Sequence, residues 1–521
     1  MNIPKRLFII ISSFILLLLL ANWGLNVWVN NKLPEILTEK NKTPYNIQYK
    51  DMHVSIWSGN ISASGISLSP KKVEKDSAKY GIYANVEAIT VAGFKVWPLL
   101  FNDRIKARSI TVTRPEVILY QRTEKAINNS KSIKSGVVEP FNQIATVSDV
   151  YIKKGSVRIL YVKNNKPIFT ATNIKAELEG IVISEETLDN KIPFAFKKYG
   201  FSCDSLYYKK DPNYHLSATD IRTELHGLSL KNFEYLPDVS RRQFVASLPA
   251  EKDLYTIKAA ALEIRNMGWG FKDEQFFFKA HRVLVDKATA NIYRSKVPAD
   301  DLTKKHLYSK LLRDMKFPMQ VDTLSVRNSR LEYEEELSFE KGAGKLIFSG
   351  FNLSAVNVNS AFGRKKMDDL KIHINCRFME SAPMVVDWKF NVLDKSDAFN
   401  IKGSIKDFDT KKLVGFTHPY INTTQKGIFD EVFFNFTGND INSAGDFASR
   451  YHGVKVTLYK KKDPRKKAKL KTAVANLLVK DDSDHQRKTT KVSVQRIQEK
   501  SFFNFFWRNI EAGLKDILLE I

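Results

Sequence analysis

The residues that could carry chemistry are few, beginning with nine histidines, among them His53, His215, His281 and His418. They are scattered, with no H-E-x-x-H pair to set two imidazoles on one helix face around a zinc ion. The stretch "GAGKL", Gly342 to Leu346, lacks the earlier glycine and the Ser or Thr with which a phosphate loop cradles a nucleotide and its magnesium. No G-x-S-x-G elbow occurs to expose a nucleophilic serine. "NMGWGFKDE" has Gly268 and Gly270 without a third glycine, and "DDSD", Asp481 to Asp484, has no EF-hand spacing. Cys203 and Cys376 are too few and too far apart for a disulfide framework or a zinc site, and read as buried free thiols or one optional bridge. This inventory points away from an enzyme, and no catalytic residue, cofactor or metal is expected.

What the chain offers instead is apolar patterning and positive charge. Of its 521 residues, 43% are hydrophobic against 27% charged, the balance of a folding chain rather than a disordered one. The 12% aromatic content, mostly Phe and Tyr, favours strands. A net charge of +25 attracts polyanions and anionic membranes.

The apolar residues recur. "SITVTRPEVILY" places Ile110, Val112, Val117 and Leu119 around a polar pair, Arg114-Pro115. The same offsets return as Val150, Ile152, Val157 and Ile159; as Val283, Val285, Ala290 and Ile292; and as Leu324, Val326, Leu331 and Tyr333. Read as two-residue hairpins, the four copies turn at Arg114-Pro115, Lys154-Gly155, Lys287-Ala288 and Asn328-Ser329, and each brings its apolar pairs to one sheet face. Not all of these are ideal turn residues, which leaves longer or bulged turns open. The recurrence extends further: Ile89 and Val91 lie 21 residues before Ile110 and Val112, and Leu262 and Ile264 lie 21 before Val283 and Val285. "IKARSITV" matches "FKAHRVLV" at an offset of 173, and a Gly-apolar-x-apolar motif starts at Gly65, Gly180, Gly227 and Gly350. Residues 65 to 184 and 227 to 354 therefore read as a degenerate duplication of stacked units. Two globular β domains that bury their own apolar faces are one outcome. One continuous antiparallel sheet, curled into a trough with an apolar and a polar face, is the other. An apolar face of that size needs a cover, and lipid acyl chains would supply one.

Leu7 to Val29 is 23 residues without a charge, preceded by Lys5 and Arg6, which predicts a membrane-spanning helix with a cytoplasmic N-terminus and the body beyond residue 30 outside the cytoplasm. A cleaved signal peptide is the rival reading, but no small-x-small site follows Leu20. Near the other end, "YKKKDPRKKAKLK" packs Lys460, Lys461, Lys462, Arg465, Lys466 and Lys467 into a basic run, either a solvated linker or a surface for anionic headgroups. "SFFNFFWRNIEAGLKDILLEI" shows helical spacing of Phe503, Phe506, Trp507, Ile510, Leu514, Ile517 and Leu518. That helix either caps the open end of the sheet or docks on a membrane or partner.

The segment from Phe399 to Tyr459 resembles the C-terminal domain of AsmA-like proteins: a "G-x-I-x-D-F-D" strand end at Gly403 to Asp409, a Gly-led strand from Gly427 to Phe436, a glycine-containing turn from Gly438 to Gly445, and a "Y-x-x-V-x-V" strand from Tyr451 to Val456. "ISASGISLS", the "WPLL" at Trp97 to Leu100 and the repeats after it resemble the start of the same family. The resemblance implies a bridge-like, repeating β-groove protein of the bacterial envelope, associated with phospholipid movement between inner and outer membranes and with outer-membrane assembly. It implies phospholipid, the inner membrane and outer-membrane or envelope proteins as partners, and no nucleic acid.

The expected fold is mostly β. A transmembrane helix (residues 1–29) precedes an elongated, curled antiparallel β-groove of repeated hairpins (30–225 and 226–380) and an AsmA-like C-terminal β region (381–460). A basic linker (461–500) and an amphipathic helix (501–521) complete it. The residues expected to line the groove are the apolar pairs of the four copies other than Ala290 and Tyr333, with Phe503, Phe506, Trp507, Ile510 and Leu514 as the docking face. A lipid-free scaffold for outer-membrane protein assembly, and a secreted polyanion binder, are the alternatives.

Overall fold

In the computed structural model, residues 45–55, 58–71, 81–95, 105–121, 145–182, 195–272, 275–460, 463–468 and 480–519 are described, with isolated residues 20, 23–24, 27–28, 31 and 471. They are mostly strand and fall into two compact units, Met1–Pro212 with Leu216–Leu225, and Asn213–His215 with His226–Ile521. The anchor expected over 7–29 lies outside the described residues but for isolated positions. Among the described residues no helix is long and apolar enough to cross a membrane.

The first unit is built from β1 (Tyr45–Gln48), β2 (Asp51–Ser55), β3 (Asn60–Pro70), β4 (Gly81–Ala92), β5 (Ile105–Gln121), β6 (Ala145–Tyr161), β7 (Pro167–Glu179), β8 (Lys198–Asp211) and most of β9 (Tyr214–Glu224). Neighbours from β3 to β8 pair in chain order, antiparallel except for β5 and β6, which run parallel. The second unit continues with β10 (Gly227–Pro237), β11 (Asp253–Arg265), β12 (Gly268–Lys272), β13 (Gln275–Ser295), β14 (Met319–Glu336), β15 (Ala343–Asn359), β16 (Leu370–Phe378), β17 (Ala382–Phe390), β18 (Phe399–Asp409), β19 (Thr423–Gly438), β20 (Asn442–Lys460), β21 (Asp463–Lys467) and β22 (Lys488–Gln495). Here β13 and β14 are the parallel pair. Among the described residues four α-helices decorate this unit: α1 (Arg241–Ala246), α2 (Tyr308–Arg313), α3 (Val414–Ile421) and α4 (Phe502–Leu518).

The expected hairpins do not form. Each of the four copies is one unbroken strand, β5, β6, β13 or β14, and the pairs assigned to turns sit in mid-strand. The first residue of each pair adopts a left-handed backbone: φ is 46° at Arg114, 56° at Lys154, 49° at Lys287 and 51° at Asn328. One left-handed residue kinks a strand and resets its two-residue alternation, as a bulge does. Apolar residues five apart, such as Val112 and Val117, then face the same way without a chain reversal. The sheets are accordingly mixed rather than antiparallel. Segments of equal length, 122–144 and 296–318, connect the parallel partners, long enough for the crossover that such pairing requires.

The best-packed region is the C-terminal part of the second unit, where Val386, Ile401, Phe434, Phe436, Phe447 and Tyr451 form one core with Phe502 and Phe505 of α4. Ser501 starts that helix by accepting a hydrogen bond from the Asn504 N–H at 3.3 Å. Gly513 lets it settle on the sheet, since a Cβ there would come within 2.2 Å of the Phe447 ring.

Candidate functional site

Cross-strand pairing carries each apolar position to the next strand. In the first unit Val91 pairs with Ile110, Ile110 with Val150, Val150 with Leu178 and Leu178 with Tyr199. A second row runs Ile89, Val112, Ile152, Ala176 and Phe201. Beyond the kinks a third runs Ala84, Val117, Val157, Ala171 and Leu206, and a fourth Ile82, Leu119, Ile159, Phe169 and Tyr208. Residues paired across a ladder point to the same side of the sheet, so each row is a stripe of one face.

The kinks bring the four rows together on one face. A Cβ on Gly155 would lie 3.1 Å from both Ile152 and Pro115 and 3.5 Å from Ile174. Ile152 and position 155, three residues apart, therefore share a side, which strict alternation forbids and a left-handed Lys154 permits. Gly65 (φ 59°) and Asn173 (φ 49°) continue this seam in β3 and β7. Along it Pro115, Gly155, Ile174 and Cys203 are buried, whereas the flanking row members Ile110, Val112, Val150, Ile152, Val157 and Ile159 are half-buried. Burial is thus greatest along the line of left-handed residues and lower on either side of it. Burial pushes the Cys203 thiol, with help from Asp204, up to about 11, so it lines the seam as an inert apolar group.

The second unit repeats the pattern. One row runs Leu228, Ile264, Val283, Leu324, Ala355, Ile372, Trp388, Ile401 and Phe436. Its neighbour runs Leu230, Leu262, Val285, Val326, Leu353, Ile374, Val386, Gly403 and Phe434. On the far side of the kinks Ala290 pairs with Leu331 and Ile292 with Tyr333. Val283, Val285, Ile292, Leu324, Val326 and Leu331 are half-buried, while Val386, Ile401, Phe434 and Phe436 at the far end of the rows are buried. The seal is α4: Phe502 stacks on Trp388 at 4.4 Å, and Phe506 meets Phe434 edge-on at 5.1 Å. Tyr308 of α2 adds an edge contact to Trp388 at 5.5 Å.

All fourteen residues expected to line the groove thus lie on these rows, joined by parallel pairing rather than by hairpin turns. Their partners on β7, β8 and β15, such as Phe169, Leu206 and Phe348, carry the same signal in the alternation of those strands. Of the expected docking face, Phe503 (61% exposed) and Trp507 (47%) point outward, whereas Phe506, Ile510 and Leu514 pack against the core. The inward anchors Phe502, Phe505 and Asn509 were not anticipated. Asn509 is buried with its amide and the Ser443 hydroxyl in hydrogen-bond contact at 2.9 Å, a polar pin that hydrophobic periodicity cannot reveal. In the basic run, Lys461 and Lys462 and the side chains of Lys460, Arg465 and Lys466 lie outside the described residues; Lys467 is exposed on β21.

No protein-family model matches this chain, and no curated protein is similar to it. Among the described residues no three His, Cys, Asp or Glu side chains are placed to hold a metal ion. Four histidines pair singly with aspartates: His215 with Asp238 at 2.6 Å, His281 with Asp322 at 3.0 Å, His373 with Asp387 at 2.8 Å and His452 with Asp430 at 3.3 Å.

A tight ionic cluster holds the start of α4. Glu251, buried at the head of β11, accepts hydrogen bonds from Lys296 and from Lys500, the latter at 3.0 Å. Burial alone would raise its pKa, but the two lysines outweigh it and hold the carboxyl at about 2.

Proposed function

We propose that this protein is a membrane-anchored, non-enzymatic β-trough that shelters lipid acyl chains, an AsmA-like protein of the bacterial envelope that contributes to phospholipid transport and outer-membrane homeostasis. Residues 7–29 would hold it in the inner membrane with the body in the periplasm. The observation that carries this reading is the set of half-buried apolar rows in the first unit, which among the described residues meet Trp28 and Met52 at the end formed by Ile89, Val91 and Ile110. From Ile110 to Leu119 a wall-to-wall path along β5 is about 30 Å, folded at the seam into two walls of roughly 15 Å. That is about the depth of one leaflet of acyl chains, half of a hydrocarbon core near 30 Å. Rows that are aliphatic or Phe except for Tyr199 and Tyr208 on β8 favour hydrocarbon over a polar ligand.

The test is photo-crosslinking of the full chain in cells, with a benzophenone amino acid at Val112, Val285 or, as the outward control, Thr111. Phospholipid adducts at Val112 and Val285 but not at Thr111 are expected, and they should be lost when the paired row neighbours are changed in a protein that stays folded, Ile152→Asp beside position 112 and Val326→Asp beside position 285. Absence of lipid at both inward positions would favour the second reading, a lipid-free envelope scaffold. The sealed aromatic core beneath α4 supports that alternative, since there the protein fills its own trough.

A further inference from the structure

We infer that one rim of the first unit is a contact surface for anionic lipid headgroups of the membrane that holds the N-terminal segment. Trp28, at the end of the long uncharged stretch, packs against a small core of Val54, Ile61, Val91, Phe94 and Ala107. Trp28 therefore lies beside the end of β4 and the start of β5, and a membrane holding the residues before it would lie near that rim. Four cations are exposed there. Lys95 and Lys106 face each other directly as an antiparallel bridge, Arg108 follows on β5, and Lys197 precedes β8. Like charges directly opposed on neighbouring strands repel.

Among the described residues the nearby acids have other partners. The Asp149 carboxylate accepts the Gly180 N–H at 3.0 Å, and Glu177 and Glu179 pair with Lys198 at 3.4 and 3.7 Å. Two glycines give the cations room to lie flat: a Cβ on Gly93 would sit 3.1 Å from the Arg108 stem, and one on Gly180 2.7 Å from that of Lys197. Ala107, between Lys106 and Arg108, is buried in the core that Trp28 touches, so strand alternation turns both cations to the other side of β5 from Ala107. A phosphate-bearing surface is the partner that neutralises such a set, and the basic residues nearest a membrane gain most from it. This inference rests on the anchored half of the proposed function and not on the trough.

Full-length protein in nanodiscs of phosphatidylcholine, with or without phosphatidylglycerol, tests it by amine-acetylation footprinting. Lys95, Lys106 and Lys197 should be modified about fivefold more slowly in the anionic discs, and the protection should fade as salt shortens the screening length. Lys163 and Lys166, in the turn at the other ends of β6 and β7, serve as controls and should not change. The Arg108→Glu variant should weaken the protection of Lys106 while lipid adducts at Val112 persist. Equal labelling in both discs overturns the inference and leaves the trough untouched. A chain that does not enter the discs overturns both this inference and the anchored reading.

Discussion

Lys154 and its counterparts hold a backbone conformation that costs a non-glycine residue on the order of 1 kcal/mol, and does so in strand after strand. Lys154→Gly should raise the free energy of chemical unfolding slightly, and Lys154→Val should lower it by about 1–3 kcal/mol, because a β-branched side chain fits the left-handed region worst. Gly155 is set against Ile152, Pro115 and Ile174, so Gly155→Val would overpack the seam at a comparable cost. Equal stability of Lys154→Val and the parent protein would show that the kink relaxes and is not what folds the sheet. These positions also mark how far sequence reading reaches. The odd spacing from Val112 to Val117 revealed that the alternation resets, but a reversing turn and an in-strand kink leave the same spacing. Polar residues such as Arg114 and Asn328 suit both. The apolar residues of the site were legible because each sits on its own strand; their joining by parallel pairing was not, since it depends on a crossover with no local signature.

At the scale of elements, α4 behaves as a stopper for the C-terminal end of the second unit's rows. Its amphipathic spacing was legible, yet the inward face is turned by one residue from expectation, because Phe502 finds Trp388 and Asn509 finds Ser443. Gly513→Leu should displace the helix from Phe447 and lower the melting temperature, with loss of near-ultraviolet dichroism from Trp388. The Glu251 cluster gives this seat a pH dependence. A carboxyl whose pKa is lower in the folded than in the unfolded protein stabilises fully above the unfolded value, near 4.5, and loses that contribution as pH falls toward about 2. Acid titration of the parent should therefore lose stability in that window, and Lys500→Met should make the loss smaller and shift it upward. An identical acid profile in the two proteins would remove Lys500 from the account.

For the molecule as a whole, the two units share one construction: a parallel strand pair whose members are separated by the same length of chain, flanked by antiparallel neighbours and crossed by apolar rows. They differ in what covers those rows. The second unit has sealed aromatics at its C-terminal end, and the first has half-buried aliphatics. If hydrocarbon is sheltered, lipid adducts should be more frequent at Val112 and Val157 than at Val386, which the core encloses. Comparable adducts at Val386 would mean that α4 opens in the cell. Because backbone pairing holds the rows in register, they specify a class of side chain and not an identity at each place. Exchange among Val, Ile and Leu along β5 and β6 leaves the stripe intact, and a saturation screen should find those positions permissive. Intolerance should gather instead at the narrow line of left-handed residues and the glycine beneath Ile152, where a change alters the bend of the whole sheet and with it every position along both walls.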